Sequence, residues 1–537
     1  MKLRTAILLI AGIVAVNIPL QWLTIRQDLT SDKRYTLSEA TKTQFKDLNG
    51  TLKIDLMLDG ELNSGFTRLR KATDEIIREL SLYADIKTQI LTQEQAASLG
   101  LSPTIIHERT QDGRTAQTTI YPYARLKYNG KSMIVNLLQN NRGLSGEENL
   151  NRSIEGLEYT LAEAIHTIKQ TEVARVAFLE GHGETEEQNV YDLEQALSRY
   201  FQIDRGVLGN QAGILDQYKC VIIADPQQPF SETDKYILDQ YVMQGGRILW
   251  LLNGVRFSGD MLQTEGVTPI IALDLNLTDM LFRYGVRINP ALVQDLQCLP
   301  IPVDVSQDPS QPNFQPLPWT YAPLLLTNEN SPITRGVMQV MSTMVSCVEW
   351  VGGEDGLSKD ILLATSTASM LTPTPAEVDL SDLTINRERF QYAYIPVATS
   401  LEGIFPSVFA HRMPPEGIIN PGDQLKTGKK TRQIVVAGGN LAKNDWEQGQ
   451  PLPVGFDRYT ETQFGNRDFL VNSVLWLTDD AGLISLRQKT VALRLLNDKI
   501  AHDQRKKIQI ISLLTPLVLI ALPGAVVGLG RRKKYKK

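Results

Sequence analysis

The segment Glu180-Gly181-His182-Gly183-Glu184 places one imidazole between two carboxylates. A histidine flanked by carboxylates can bind a metal ion or transfer a proton. The alternative is structural: the glycines form a tight turn between a strand and a helix, and His182 holds this turn by hydrogen bonds. One histidine and two acids fall short of a catalytic set. The structural interpretation is therefore favoured, and Glu180, His182 and Glu184 are kept as a candidate ligand-binding or partner-binding loop without catalytic residues.

A second candidate position is Asn253, at the turn after a strand predicted over 247–252. Folds of the glutamine-amidotransferase type place a Cys or Ser nucleophile on the sharp turn after a central strand. Here the turn has the sequence Asn253-Gly254-Val255-Arg256, which contains no nucleophile. We therefore assign Asn253 to the same candidate binding site as the 180–184 turn, on an amidotransferase-like scaffold that lacks the catalytic group.

Motifs for nucleotide hydrolysis and metal catalysis are missing from the sequence. The string nearest to a phosphate-binding GxxxxGK[ST] loop is Gly428-Lys429-Lys430-Thr431, which has the wrong residue after Lys429 and no glycine at the required earlier position. There is no HExxH zinc motif and no GxSxG nucleophile turn. The sequence therefore predicts no enzyme activity, no cofactor and no resident metal.

The three cysteines, Cys220, Cys298 and Cys347, form no CxxC pair and no zinc spacing. Cys220 lies in an apolar run and is predicted to be buried in the core. Whether Cys298 and Cys347 form a disulfide stays open at this point.

Strands that alternate with helices indicate an α/β sheet with parallel strands. Strands are predicted over 174–179, 219–224 and 247–252, and Ser231 begins a helix with a capping box. The segment 296–323 is rich in Pro, Gln and Asp and is predicted to be an excursion over the surface. The pattern predicts a doubly wound, mostly parallel sheet of the Rossmann type, and the family resemblance described below implies that it is amidotransferase-like.

An N-terminal α/β domain is predicted from a strand near 51–58, a helix that follows it, and a late hairpin. Asn129-Gly130 lies between two alternating segments and is a strong hairpin signal, because both turn positions accept a positive φ. The polar stretch 140–149 is predicted to be a linker.

Two uncharged apolar runs lie near the ends of the chain, from Thr5 to Ile25 and from Ile508 to Gly530. Each has the ~20 residues that a helix needs to cross a membrane, so hydropathy predicts two terminal transmembrane helices. A cleaved signal peptide is the alternative for the first run. The six cations among residues 531–537 predict that both termini are cytoplasmic and that the bulk of the chain lies outside.

The predicted organisation follows from these signals. It comprises a transmembrane helix (1–25), a juxtamembrane linker (26–45), a small α/β domain (46–145), an α/β region of one or more domains (150–480), a connecting helix (481–507), a transmembrane helix (508–530) and a basic cytoplasmic tail (531–537). Hydrophobic residues make up 42% of the chain and charged residues 21%, which is ordinary globular usage. The net charge of -5 argues against nucleic acid as a partner.

Several segments together resemble the GldG family of gliding-associated ABC-transporter auxiliary proteins. They are Asp28-Leu29-Thr30, Lys33-Arg34-Tyr35-Thr36-Leu37-Ser38, Leu58-Asp59-Gly60, the 180–184 turn, Tyr241-Val242-Met243-Gln244-Gly245-Gly246 and Gly465-Asn466-Arg467-Asp468-Phe469. The resemblance implies a substrate-binding-like auxiliary subunit in the bacterial inner membrane, with its bulk in the periplasm. It also implies a multi-span permease and a separate cytoplasmic ATPase as partners, and leaves the ligand unidentified.

Three functions remain open at this stage. The first is a non-catalytic subunit of an ABC-type transporter complex, related to gliding motility or the cell envelope. The second is a membrane-anchored hydrolase that uses His182 and nearby carboxylates. The third is a structural envelope scaffold that binds no ligand.

Overall fold

The computed structural model of the protein describes most of the chain between residues 36 and 484. The described residues are 36–109, 115–138, 145–169, 173–304, 306, 313–352, 356–380, 385–420, 422–480, 482, 484, 512, 514–516 and 521. The chain divides into two compact units, residues 1–490 and 491–537. In the second unit the described residues are helical.

The N-terminal part of the first unit is built on a four-stranded sheet with the order β2-β1-β5-β6. Its elements are α1 (Glu39–Lys46), β1 (Leu52–Leu56), α2 (Ser64–Leu80), β2 (Ile86–Ile90), α3 (Gln93–Ala97), β3 (Thr104–Arg109), β4 (Thr115–Ile120), β5 (Tyr123–Tyr128) and β6 (Lys131–Asn136). Strands β1 and β2 are parallel, whereas β1 and β5 and also β5 and β6 are antiparallel. Strands β3 and β4 form a separate hairpin.

Two helices cover the core of this sheet. Helix α2 begins where the Asn63 side chain accepts a hydrogen bond from the Phe66 backbone N–H, and its buried residues recur every three or four positions. Helix α4 (Gly146–Lys169) contributes Leu157, Leu161 and Ile165 to the same core. This apolar stripe fixes the helix against the N-terminal sheet.

The rest of the first unit contains a ten-stranded sheet that is parallel in one half and antiparallel in the other. Its main order is β15-β16-β19-β22-β23-β10-β9-β7-β8, with β17 paired to β16. Strands β8, β7, β9, β10 and β23 are mutually parallel, and β22, β19, β16 and β15 continue the sheet in antiparallel fashion.

The helices and strands of this region have the following bounds. The helices are α5 (Glu187–Leu197), α6 (Glu232–Met243), α7 (Gly259–Thr264), α8 (Thr278–Arg283) and α9 (Asn466–Thr478), with 3-10 turns at Arg387–Arg389 and Gly439–Ala442. The strands of the large sheet are β7 (Arg175–Leu179), β8 (Gln202–Gly206), β9 (Cys220–Ala224), β10 (Ile248–Leu251), β15 (Cys298–Asp304), β16 (Phe314–Thr327), β17 (Val340–Met341), β19 (Ser358–Ala364), β22 (Pro396–Pro406) and β23 (Thr427–Val436). The smaller sheets contain β11 (Val255–Arg256), β12 (Val267–Ala272), β13 (Val286–Asn289), β14 (Ala291–Asp295), β18 (Cys347–Trp350), β20 (Ser369–Pro373), β21 (Ala376–Asp379), β24 (Trp446–Glu447), β25 (Gln450–Pro451), β26 (Phe456–Asp457) and β27 (Thr462–Gln463).

The inner parallel strands β7, β9 and β10 are buried on both faces, as is usual where helices cover a sheet on two sides. All five residues of β9 are buried. One face packs with apolar residues of α5 and α9, and the other packs with residues of α6 and α8. Alternate side chains of each strand therefore belong to two different cores.

Truncating a side chain in the core that packs with α5 and α9 is expected to destabilise the protein. Ile222 of β9 is fully buried, so Ile222→Ala should lower the free energy of unfolding by about 3 kcal/mol through lost burial and the cavity left behind. Ile404 lies on β22 but is 53% exposed. Ile404→Ala should therefore cost about 1 kcal/mol or less in the same urea titration. Equal losses in the two variants would contradict the described packing of β9.

The predicted fold class is wrong in two respects. Among the described residues, no helix has the length and apolar character needed to cross a membrane. The predicted span at 1–25 lies outside the described residues, and the one at 508–530 is described only at residues 512, 514–516 and 521. Hydropathy counts apolar residues without testing for one continuous helix. The localisation predicted from these runs, in the inner membrane with cytoplasmic termini, is contradicted by the same finding.

The predicted doubly wound, mostly parallel sheet is the second error. The fold is mixed α/β, with many strands distributed over one large mixed sheet and several small ones. Alternation of apolar residues indicates a strand but does not say which strand pairs with it or in which direction. The antiparallel pairing of β19 with β22 and of β22 with β23 is therefore not visible in the sequence.

Local signals were more reliable. The hairpin predicted at Asn129-Gly130 is confirmed, since these two residues join β5 and β6 with φ values of 46° and 79°. The cap predicted at Ser231 is confirmed, because its side chain accepts a hydrogen bond from the Asp234 N–H. The surface excursion predicted over 296–323 stays a prediction, but the sequence did not show that β15 and β16 pair there as an antiparallel hairpin.

Candidate functional site

The parallel strands bring four loops to one edge of the large sheet. Leu251 of β10 aligns with Ala224 of β9 and with Val436 of β23. The residues that follow these strands, and the turn that follows β7, therefore lie side by side. We call this the carboxyl edge. The strand order reverses between β7 and β9, and ligand sites of open α/β sheets usually lie at the carboxyl ends of strands near such a reversal.

His182 lies in the turn after β7 and is held between two carboxylates. Its Nδ1 lies 3.1 Å from Glu184 Oε1, and its Nε2 lies 3.2 Å from Asp234 Oδ2 on the first turn of α6. Its ring stacks on Phe230 with 3.7 Å between ring centroids. The side chain is only 8% exposed. His182 therefore ties the turn after β7 to the start of α6.

The protonation state of His182 follows from these contacts. Burial alone would lower the pKa of the imidazole, but the hydrogen bonds to Asp234 and Glu184 raise this pKa to about 9. The hydrogen bond from His182 in turn lowers the pKa of the Asp234 carboxyl. At neutral pH the ring is therefore an imidazolium with both nitrogens donating. It has no lone pair with which to accept a proton or bind a metal ion.

Glu180 points to a different partner. Its carboxylate accepts a hydrogen bond of 2.7 Å from Arg205 Nε on β8, and Arg205 also pairs with Glu194 on α5. Arg205 further donates to the Thr185 carbonyl oxygen at 3.2 Å. Glu180 thus helps to fix the start of the turn and does not join the carboxylates around His182.

Asn253 lies after β10 and belongs to a second buried cluster. Its Nδ2 donates to Asp225 Oδ1 at 2.6 Å, and its Oδ1 accepts from the Gly439 N–H at 2.9 Å. Asp225 is 4% exposed, and its other carboxylate oxygen lies 2.8 Å from Lys443 Nζ. Asp225 also adopts φ +56°, an uncommon conformation for a residue other than glycine. The cluster joins the ends of β9, β10 and β23.

A single segment connects the two clusters. Gln227 donates from its side chain to Asp225 Oδ1 at 2.9 Å, and its backbone N–H donates to the His182 carbonyl oxygen at 2.8 Å. The Gln228 N–H donates to the same carbonyl oxygen. The polar groups of the carboxyl edge are thus largely satisfied by one another. In the part of the chain that the structure describes, no three His, Cys, Asp or Glu side chains are placed to hold a metal ion.

A cavity of about 360 Å³ lies beside Asn253 and Gly254. Its walls are mostly apolar, with Leu252, Leu275 and Ile288 among them, and Arg287 provides a cation. Small-molecule sites in proteins commonly combine such walls with a few polar groups. A cavity of about 460 Å³ lies near the starts of β7 and β9, at the opposite edge, and none of the predicted site residues lines it.

The structure separates the four predicted residues into three groups. His182 and Glu184 pair with each other, Glu180 pairs with Arg205, and Asn253 pairs with Asp225. The assignment of the four residues to a ligand-binding or partner-binding loop stays a prediction.

Sequence reasoning missed Asp225, Gly439 and Lys443. Two of them had a usable signal: Asp225 directly follows a buried strand, and Gly439 follows another. The rule that carboxyl ends of parallel strands meet would have joined them to Asn253.

All three cysteines are free in the described structure.

Comparison with known families identifies the type of protein. A family model described as an ABC-type uncharacterized transport system matches residues 174–473, which is more than half of the chain and includes the carboxyl edge. The chain belongs to this family. The match confirms the resemblance to the GldG-like auxiliary proteins and indicates an auxiliary role in an ABC-type transport system. A second model, a domain of unknown function designated DUF7088, matches residues 31–127 of this ABC-type auxiliary protein.

Three solved structures align with the ABC-type auxiliary protein at low TM-scores. The mmIFT52 N-terminal domain is 15% identical, with 57% of this chain and 99% of that chain covered and a TM-score of 0.34. A ThuA-like protein from Parabacteroides merdae is 10% identical, with 57% and 90% covered and a TM-score of 0.27. PurLQS from Thermotoga maritima is 12% identical, with 57% and 100% covered and a TM-score of 0.23. At such scores none of these overlaps establishes a shared fold or function. No curated protein matches the chain.

Proposed function

We propose that this ABC-type auxiliary protein is a non-catalytic subunit that binds other components of its transport complex. Its partners in this proposal are a multi-span permease and a separate cytoplasmic ATPase. The observation that carries the proposal is the family match over residues 174–473. The sequence itself lacks a phosphate-binding loop of the GxxxxGK[ST] type, which fits a complex in which another chain hydrolyses ATP.

The carboxyl edge supports the non-catalytic part of the proposal. A general base or nucleophile needs a free lone pair within reach of a substrate. His182 uses both ring nitrogens in contacts with Glu184 and Asp234. The carboxylate of Asp225 is buried and occupied by Asn253, Gln227 and Lys443. These groups are arranged to hold loops together, which suits a binding scaffold better than a hydrolase.

The proposal also concerns the cellular process in which the complex takes part. The resemblance to the GldG family supports gliding motility or transport related to the cell envelope. Deleting the coding sequence from a gliding host should then abolish gliding, whereas an envelope transport role should instead change the cell-surface material without affecting surface movement. Unchanged movement and an unchanged surface would contradict both.

The partner proposal is tested by affinity purification of the tagged full chain from detergent-solubilised cells. We expect the permease and the ATPase to be recovered in a constant ratio to the tagged chain across independent preparations. The matched control is an unrelated tagged protein at the same expression level. Recovery of the chain without either partner, or equal recovery of both partners with the control, would contradict the proposal.

A further inference from the structure

An exposed pair of aromatic rings lies beside the carboxyl edge. Trp446 and Tyr191 are 40% and 39% exposed, and their ring centroids are 6.3 Å apart at an angle of 42°. Tyr191 belongs to α5, whereas Trp446 begins the small hairpin formed by β24 and β25. The residues of the pair are thus 255 positions apart in sequence but adjacent in space. Large aromatic side chains left at the surface commonly mark binding sites.

Hydrogen bonds hold the Trp446 side of the pair on α5. The indole Nε1–H of Trp446 donates to the Gln188 carbonyl oxygen at 3.0 Å. Asn444, two residues before Trp446, is anchored on the same helix turn, since its N–H donates to the Asn189 carbonyl oxygen at 2.7 Å. The indole therefore has its polar atom satisfied and still presents ring surface to solvent. Little conformational entropy would be lost when a partner covers it.

Four acidic residues are close neighbours of the pair in the chain. Asp445 and Glu447 flank Trp446, Glu186 is the N-cap residue of α5, and Glu187 is its first residue, next to the Gln188 carbonyl oxygen that accepts the indole hydrogen bond. All four are exposed, and none of them forms an ion pair within the described residues. Two cations on the neighbouring segments are already engaged by other carboxylates. Lys443 pairs with Asp225, and Arg467 pairs with Asp192.

We propose that this aromatic–acidic surface, formed by Tyr191, Trp446 and the four carboxylates, binds an Arg-bearing or Lys-bearing segment of a partner protein. A guanidinium or ammonium group is attracted to the face of an aromatic ring, most strongly to that of Trp. The surrounding carboxylates add charge complementarity, which raises the association rate and excludes acidic partners. Arg suits the surface better than Lys because its planar group can stack on a ring and bridge a carboxylate at once.

This inference names the chemistry of one partner of the proposed subunit and so rests on the proposed function. Its test uses the purified full chain without other transport components, so that it can fail while co-purification succeeds. The probe is a fluorescein-labelled peptide of alternating Gly and Arg, titrated by fluorescence anisotropy at low salt. A Gly–Glu peptide of equal length tests whether binding requires a positively charged peptide.

We expect the Gly–Arg peptide to bind and the Gly–Glu peptide not to bind. Trp446→Ala and the double variant Asp445→Asn/Glu447→Gln should each weaken binding about tenfold. Tyr191→Ala should weaken peptide binding as well. This second variant keeps the test valid if Trp446→Ala fails to fold. The matched controls are Tyr459→Ala, which removes an aromatic ring that is 58% exposed, and Glu377→Gln/Glu388→Gln, which neutralises two exposed acids elsewhere.

The controls should leave peptide binding unchanged. Equal weakening by the control pair would mean that the peptide responds only to overall charge, and this would overturn the inference. Full binding by the Trp446, Tyr191 and Asp445/Glu447 variants, or preferential binding of the Gly–Glu peptide, would overturn it too.

Discussion

Replacing His182 by Ala should lower the free energy of unfolding by about 3 kcal/mol at pH 7. The imidazolium lies between Glu184 and Asp234 and stacks on Phe230. Its removal leaves two carboxylates without their shared cation and creates a cavity against the Phe230 ring. The raised pKa of His182 gives a similar loss of unfolding free energy, because a rise in pKa from 6.5 to about 9 corresponds to about 3 kcal/mol. Urea titration followed by circular dichroism measures this loss.

The same contact should make stability depend on pH. The folded pKa of His182 lies above the unfolded value of 6.5, so the folded state retains the proton to higher pH. The stabilisation is therefore complete below about pH 6.5 and decreases as the pH rises toward 9. In His182→Ala this decrease between pH 6.5 and 9 should disappear. His411 provides the matched control, since it is exposed.

His411→Ala should change stability at pH 7 by less than about 0.5 kcal/mol and preserve the pH dependence of the wild-type protein. If His182→Ala retained the wild-type pH profile, the imidazolium would not be the group that joins the turn after β7 to α6. Our view of this turn as a structural element would then be wrong.

Replacing Gly439 by Ala should also destabilise the protein by about 3 kcal/mol. An added Cβ would lie 2.3 Å from Asp225 Oδ1 and 2.8 Å from Asp225 Cα, which is closer than any van der Waals contact allows. The Asp225 carboxylate cannot move away without breaking its bonds to Asn253 and Lys443. Overpacking of this kind and the loss of buried hydrogen bonds act together here.

Gly259→Ala is the matched control for that substitution. Gly259 is the first residue of α7, and an added Cβ there would meet no atom within 4 Å. The control should be neutral or stabilising by up to about 1 kcal/mol. Thermal unfolding of both variants by calorimetry compares them directly. A Gly439→Ala protein as stable as Gly259→Ala would contradict the close approach of Gly439, in the 3-10 turn after β23, to Asp225.

Sequence reasoning recovered features that depend on neighbouring residues. The hairpin at Asn129-Gly130 and the cap at Ser231 were predicted because the residues that make them are close together in the chain. The buried strands β7, β9 and β10 were also recognisable, because each is a short apolar run followed by a turn residue. Such signals need no knowledge of the tertiary fold.

Features that depend on distant residues were not predictable in the same way. The prolines within 296–323 suggested an excursion over the surface, but they did not indicate that Pro302 and Pro316 lie opposite each other in an antiparallel hairpin. Proline is tolerated on strands that have a free edge, and sequence does not show which strands those are. The bond between Asn253 and Gly439 joins residues 186 positions apart. The positive φ of Asp225, whose carboxylate joins this cluster, was not predicted from the sequence either.

The family match over residues 174–473 is the observation that carries the proposal that this chain acts through partners. The central claim is that the chain is a stoichiometric subunit of an ABC-type transport complex. Native mass spectrometry of the complex purified through the tagged full chain tests this most directly. We predict one dominant mass that equals whole-number copies of this chain, a permease and an ATPase. A mass that corresponds to this chain alone, or to multiples of it, would contradict the claim.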